Sequence, residues 1–195
     1  MAFINYSEKE VNCKIVYYGP EHSGKTTNLK YIQMKTRPED RGKLISLSTE
    51  GDLTTFFDIR TVHLGTIRGM SFRTHLYTIS GQVSDNANWL RVFKNVDGIV
   101  FVADSQKDRL EANLECIASL EKNLKSSGND LLQIPYVLQL NKRDLPTALH
   151  VDELTHKLRV KNNPIFEATA LSGKGVFETW KECSKLVFNK SRKRT

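Results

Sequence analysis

Eight residues, Gly19-Pro20-Glu21-His22-Ser23-Gly24-Lys25-Thr26, fit the spacing GxxxxGK[ST], and their chemistry is that of an anion cradle. Glycines let a backbone approach phosphate oxygens closely enough for its N–H groups to point at them, and the start of a following helix reinforces the attraction. Lys25 adds a point charge and Thr26 offers a hydroxyl to magnesium, with Gly19, Ser23, Gly24 and Thr27 as further phosphate-binding candidates. A second constellation, Asn141-Lys142-Arg143-Asp144, follows the apolar run Tyr136-Val137-Leu138-Gln139-Leu140. A carboxylate in a dry pocket can accept two N–H bonds from the edge of guanine, whereas adenine offers lone pairs and one amino group, so Asp144 can select the base. Asn141 would fasten neighbouring loops and touch the ring, and the stem of Lys142 can lie over its face. Taken alone, the first motif is also a glycine-containing turn before a helix, and the second an ordinary charged turn. Each gains from the other and from its position after an apolar strand.

The elements that must carry these loops are legible as alternating strand-like and helix-like segments. Strands are predicted near 11–18, 43–48, 57–64, 71–79, 97–104, 134–140 and 165–169, and helices near 25–36, 86–95, 108–127, 151–161 and 174–189. The first strand reads Val11, Cys13, Ile15, Tyr17 on one side and Asn12, Lys14, Val16, Tyr18 on the other. Phe57–Leu64 and Phe72–Ile79 flank a segment with Gly65 and Gly69, which predicts a hairpin and one antiparallel strand. The fold class is α/β, a mostly parallel sheet with helices on both faces. Ligands of such sheets bind at the carboxyl ends of the strands. The loop Asp104-Ser105-Gln106 lies at one such end and reads as helix capping by Asp108.

The 195 residues, 39% hydrophobic, suit one domain, read as 1–189, followed by a basic tail at 190–195. Lys190, Arg192, Lys193 and Arg194 account for four of the seven net positive charges, leaving +3 on the body, a balance that needs no nucleic acid. The tail reads as a solvated, frayed end, or alternatively as a membrane or partner contact. Cys13, Cys116 and Cys183 form neither a CxxC pair nor a disulfide framework. The start Met-Ala-Phe has no secretory or myristoylation pattern, and the longest apolar run, Ile99 to Ala103, is too short for a bilayer. A cytoplasmic protein without membrane insertion of its own is expected.

Together these residues resemble the Ras-like small GTPases, and across nearly the whole chain the bacterial MglA type of motility and polarity switch. The resemblance is carried by Ile15 to Pro20, Gly24-Lys25-Thr26-Thr27-Asn28-Leu29, Gly42 to Glu50, Phe56-Phe57-Asp58, His75 to Thr78, Gly81-Gln82, Val100 to Ser105 and Asn141 to Pro146. It implies a three-layer P-loop NTPase fold, GTP or GDP with magnesium as ligands, and Thr54 as the switch I threonine beside Thr26 at the metal, Thr55 being the fallback. It further implies that Gly81 gives its N–H to the γ-phosphate, that Gln82 orients the attacking water, and that a backbone N–H at Ala170, in the loop Ala168-Thr169-Ala170, reads the guanine carbonyl. Without the resemblance, 168–170 reads equally as a strand end. The partners implied are a Roadblock-type GTPase-activating protein and polarity or motility scaffolds, with the chain a monomer recruited to a cell pole by partners.

The chain also departs from that pattern. Thr78 stands where most Ras-like proteins have Asp; threonine is the pattern of the MglA type, so this change is expected from the resemblance and implies a lighter magnesium shell. Glu21 replaces a loop glycine that leaves room for the catalytic glutamine. A carboxylate there crowds Gln82 and repels the γ-phosphate, unit charges about 4 Å apart costing roughly 1 to 4 kcal/mol, unless it swings to solvent or pairs with a lysine. Leu53 replaces an arginine finger, a group worth about 10³ to 10⁵ in rate. Val83-Ser84-Asp85 replaces an aromatic-rich start of switch II, and Ser80 a proline. The resulting expectation is a guanine-nucleotide switch with weak or impaired hydrolysis; the alternative is a pseudo-GTPase interaction module with little turnover.

Overall fold

Alternation of apolar side chains along 11–18 forces a strand with two buried faces, and that strand is the axis of the molecule. In the computed structural model, which describes residues 3–40, 44–47, 56–67, 69–80, 86–159 and 163–192, the elements in chain order are β1 (Phe3–Asn5), β2 (Glu10–Gly19), α1 (Lys25–Lys35), β3 (Leu44–Leu47), β4 (Phe56–Ile67), β5 (Met70–Ser80), α2 (Asn86–Phe93), β6 (Gly98–Asp104), α3 (Leu110–Ser126), β7 (Tyr136–Asn141), α4 (Val151–Lys157), β8 (Ile165–Glu167) and α5 (Val176–Arg192). The sheet order is β3-β4-β5-β2-β6-β7-β8. The strand β4 is antiparallel to both its neighbours, while β5, β2, β6, β7 and β8 pair in parallel.

The two sides of β2 serve two half-cores. Val11, Cys13, Ile15 and Tyr17 pack with Leu29 and Ile32 of α1 and with Trp180, Cys183, Val187 and Phe188 of α5. Val16 and Tyr18 pack instead with Trp89 and Phe93 of α2, Leu120 and Leu124 of α3 and Leu154 of α4. Burying each such large apolar side chain stabilises the fold by about 1.5–3 kcal/mol. The strands β6 and β7 are buried along their whole length, as central parallel strands must be. All three cysteines are free and buried, and burial holds the thiols of Cys13 and Cys183 well above their ordinary range, so neither is a reactive thiolate.

Four details differ from the sequence reading. The hairpin connection is tighter than the Gly65–Gly69 segment suggested: β4 runs through Gly65 to Ile67, and only residues 68 and 69 connect it to β5. Two register shifts, between Ile59 and Val62 and between His63 and Thr66, put extra residues on β4, and such bulges accommodate a glycine within a strand. The strand β1 was not foreseen, since three residues carry no readable period; it lies antiparallel to Glu10–Asn12, below the stretch of β2 that β6 occupies from Ile15. Capping does not come from Asp108, which lies inside a short 3-10 turn, Lys107–Arg109, leading into α3; neither start has a side-chain cap. Finally, α5 continues to Arg192, whose guanidinium lies 5.8 Å from the Phe188 ring centroid, so part of the expected tail is helical.

Candidate functional site

The carboxyl end of β2 delivers the phosphate loop. Gly19 has no room for a side chain, because the Val102 carbonyl stands where its Cβ would be. Gly24, the residue before α1, takes φ 98°, and the Asn141 amide nitrogen fills the place of its Cβ. No side chain caps α1, so the N–H groups of its first turn face whatever lies in the loop.

Five of the loop's carbonyls have donors within the protein. Lys25 Nζ donates to the oxygens of Gly19 at 2.9 Å and Pro20 at 2.5 Å. Arg109 Nη2 donates to the Glu21 carbonyl at 3.0 Å, and Asn141 Nδ2 to the Ser23 carbonyl at 2.7 Å. The Gly24 carbonyl accepts from both the backbone and the side chain of Asn28. Asn28 in turn accepts from Gln139, which also donates to Thr179, so a buried polar chain backs the loop from β7 and α5. Burial lowers the Lys25 ammonium to about pKa 8, the Glu21 carboxylate pulling it back up and Arg109 pushing it further down. Thr26 and Thr27 stand half-buried in the first turn of α1.

The end of β7 brings Asn141-Lys142-Arg143-Asp144 beside this loop. Asn141 is buried and fastens loops as its sequence context suggested: besides Ser23, it holds the Ala170 N–H on Oδ1 at 2.9 Å. The N–H assigned from sequence to the guanine carbonyl is therefore satisfied within the protein, as a buried amide must be. Lys142, at φ 64°, turns its ammonium to Asp104 Oδ2 at 2.6 Å and to Gln106 Oε1 at 3.2 Å. Arg143 braces the segment by donating to the carbonyl of Leu149 and the carboxylate of Glu167. Asp144 is exposed and makes no hydrogen bond or ion pair with any described residue, which suits a carboxylate reserved for a ligand.

Sequence reasoning missed Asp104 and Arg109. Asp104 is fully buried at the end of β6; its Oδ1 takes the Gln106 N–H, its Oδ2 takes Lys142 and lies 3.9 Å from Arg109 Nε, and Asn113 holds its backbone on both sides. Its position at a strand's carboxyl end was the available signal. The predicted residues Leu53, Thr54, Thr55, Gly81, Gln82 and Val83 to Asp85 lie outside the described residues. Thr78 is described: its hydroxyl is buried and, like that of Ser23, has no partner among the described residues.

A magnesium nucleotide fits these features. The backbone cradle admits no Cβ at two glycines, a buried ammonium lies within it, and unpartnered hydroxyls remain at Ser23 and Thr78. Fold and loops together define a P-loop protein of the Ras-like small-GTPase class. The sequence pattern of the ADP-ribosylation factor family matches residues 1–187, so the chain belongs to that family, and within it is of the MglA type. It is 55% identical over 193 residues to the mutual gliding-motility protein MglA of Myxococcus xanthus (strain DK1622), the match covering 99% of each chain. It is also 33% identical over 192 residues to ADP-ribosylation factor-like protein 6 of Caenorhabditis elegans, covering 94% of this chain and 90% of the relative. The corresponding protein of Caenorhabditis briggsae is 32% identical over 186 residues, covering 91% and 86%.

Proposed function

We propose that the chain is a GTP-binding switch in the control of cell motility and polarity, with weak intrinsic hydrolysis. The observation that carries the nucleotide reading is the single amide of Asn141, which joins the phosphate loop at Ser23 to the base-reading segment and to Ala170. One rigid unit then measures phosphate and base together. Gly19, Ser23, Gly24, Lys25, Thr26 and Thr27 hold the phosphates; Asn141, Lys142 and Asp144 hold guanine, with Ala170 behind them; Thr26 and Thr54 hold magnesium. The bound metal neutralises phosphate charge. Thr54 and Gly81 order the switches around the triphosphate, and partners, including a Roadblock-type activating protein and polarity scaffolds, read that surface. The motility assignment is supported by the 55% identity to a protein named for gliding motility. No helix among the described residues is long and apolar enough to cross a membrane.

Denaturing the purified protein and identifying the released nucleotide by chromatography tests this reading. GDP or GTP is expected. A protein that releases none, and fails to bind either when added with magnesium, overturns it.

A second reading, a pseudo-GTPase scaffold, is favoured by Glu21, whose carboxylate shares the loop with Lys25 and would oppose a γ-phosphate. Single-turnover assay with bound GTP separates the two: undetectable hydrolysis, even with a cognate activating protein, favours the scaffold.

A further inference from the structure

The buried carboxylate Asp104 and the arginine beside it have no role in the reading above. Arg109 reaches from the start of α3 to the phosphate loop and donates to the Glu21 carbonyl at 3.0 Å, with its Nε 3.9 Å from Asp104 Oδ2. Asp104 simultaneously holds Lys142 of the base-reading segment at 2.6 Å. In a trans peptide the carbonyl of one residue and the N–H of the next point in opposite directions. Holding the Glu21 carbonyl outward therefore turns the His22 N–H inward, toward the cradle.

His22 makes that restraint necessary. It is the one residue of the loop other than glycine with positive φ, at 59°, a conformation that strains any residue bearing a Cβ. The carbonyls of Gly19 and Pro20 are held by Lys25, that of Gly24 by Asn28 and that of Ser23 by Asn141. Among the described residues, the Glu21–His22 peptide is the one part of the loop held by a side chain from α3's approach.

We propose that Arg109, anchored on Asp104, is a positioning residue for nucleotide binding: it fixes the Glu21–His22 peptide so that its N–H faces the phosphates. Asp104 links this peptide to Lys142, so the phosphate and base-reading loops share one carboxylate. The proposal rests on the guanine-nucleotide reading. Guanidinium suits the place because its planar fork can donate to the carbonyl while its Nε faces the carboxylate; an ammonium cannot span both.

The test measures GDP and GTPγS affinity of the full chain with magnesium, for the wild type, Arg109→Gln, Arg109→Lys, His22→Gly and the double variant His22→Gly/Arg109→Gln. Thermal melting of the nucleotide-free forms runs in parallel. Loss of one charge-assisted hydrogen bond predicts about a tenfold weaker affinity for Arg109→Gln, with a smaller loss for Arg109→Lys. Glycine tolerates φ near that of His22 without strain, so His22→Gly should restore most of the affinity that Arg109→Gln loses. A purely architectural role would lower the melting temperature and leave no such coupling. Wild type that binds while Arg109→Gln binds equally well, or losses that are additive with His22→Gly, overturn the proposal alone. Wild type that binds neither nucleotide overturns the underlying reading with it. Should Arg109→Gln fail to fold, Arg109→Lys with and without His22→Gly decides the same question.

Discussion

Asn141 occupies the space that Gly24 leaves empty: its amide nitrogen stands where a Cβ on residue 24 would be, and from there donates to the Ser23 carbonyl at 2.7 Å. The glycine of the phosphate loop and the asparagine that ends β7 are thus one packing decision. Replacing Asn141 by alanine would leave two buried backbone groups, the Ser23 carbonyl and the Ala170 N–H, without partners. The expected loss is about 2–4 kcal/mol of stability in urea unfolding of the nucleotide-free protein. A loss within about 0.5 kcal/mol would show that solvent satisfies both groups.

Lys25 gives a pH dependence of known sign. Burial lowers its folded-state pKa to about 8, below the ordinary value of 10.5 that it has when unfolded. Between those values the unfolded chain binds more protons, so stability of the nucleotide-free protein rises with pH through that window. Phosphate binding has the opposite preference, because it requires the ammonium. Affinity for GDP should fall between about pH 7 and 8.5, with proton uptake on binding at the upper end, visible by calorimetry in buffers of different ionisation enthalpy. Binding that takes up no proton near pH 8.5 would rule out Lys25 as the titrating contact.

Gly98 begins β6 under α5, and a Cβ there would lie 2.8 Å from both Cys183 Sγ and Val187 Cγ2. Gly98→Ala is expected to destabilise by about 1–3 kcal/mol, since a packed core has no slack for another methyl. Adding Val187→Ala should recover part of it. Equal stability of wild type and Gly98→Ala in urea would mean that α5 shifts without penalty.

Glu21→Gly and Leu53→Arg together address turnover. The first removes a carboxylate from the loop and the second supplies a cation where a finger would act, so single-turnover GTP hydrolysis should rise by about 10³-fold or more if both positions limit the rate. An unchanged rate assigns the limitation elsewhere.

Much of this was readable in residues 11–29, where a period-two strand, a glycine-bearing loop and a helix follow one another with no competing signal. Asn141's fastening role was also readable, because a carboxamide after an apolar strand, next to a motif for phosphate, has few other uses. What could not be read was anything fixed by separate elements meeting in space. Asp104 sits in a loop that reads as no more than helix capping by Asp108 until β6, α3 and β7 bring Arg109 and Lys142 to it. The hairpin turn misled because Gly65 signals a break, whereas two bulges on β4 absorb it inside the strand. The three residues of β1 gain their identity from the free edge of β2 rather than from their own pattern.

Since alternate residues of β2 belong to opposite half-cores, neither layer can melt while the other keeps the strand in place. The phosphate loop is tethered to that strand's last residue. Loss of the ligand site and global denaturation should therefore be a single cooperative event, and the amides of Val16 and Tyr18 should exchange with solvent only at the full unfolding free energy. For a molecular switch this divides the labour: the half of the molecule that grips the ligand has no partial state to offer, and any toggling must be drawn from the segments beyond it.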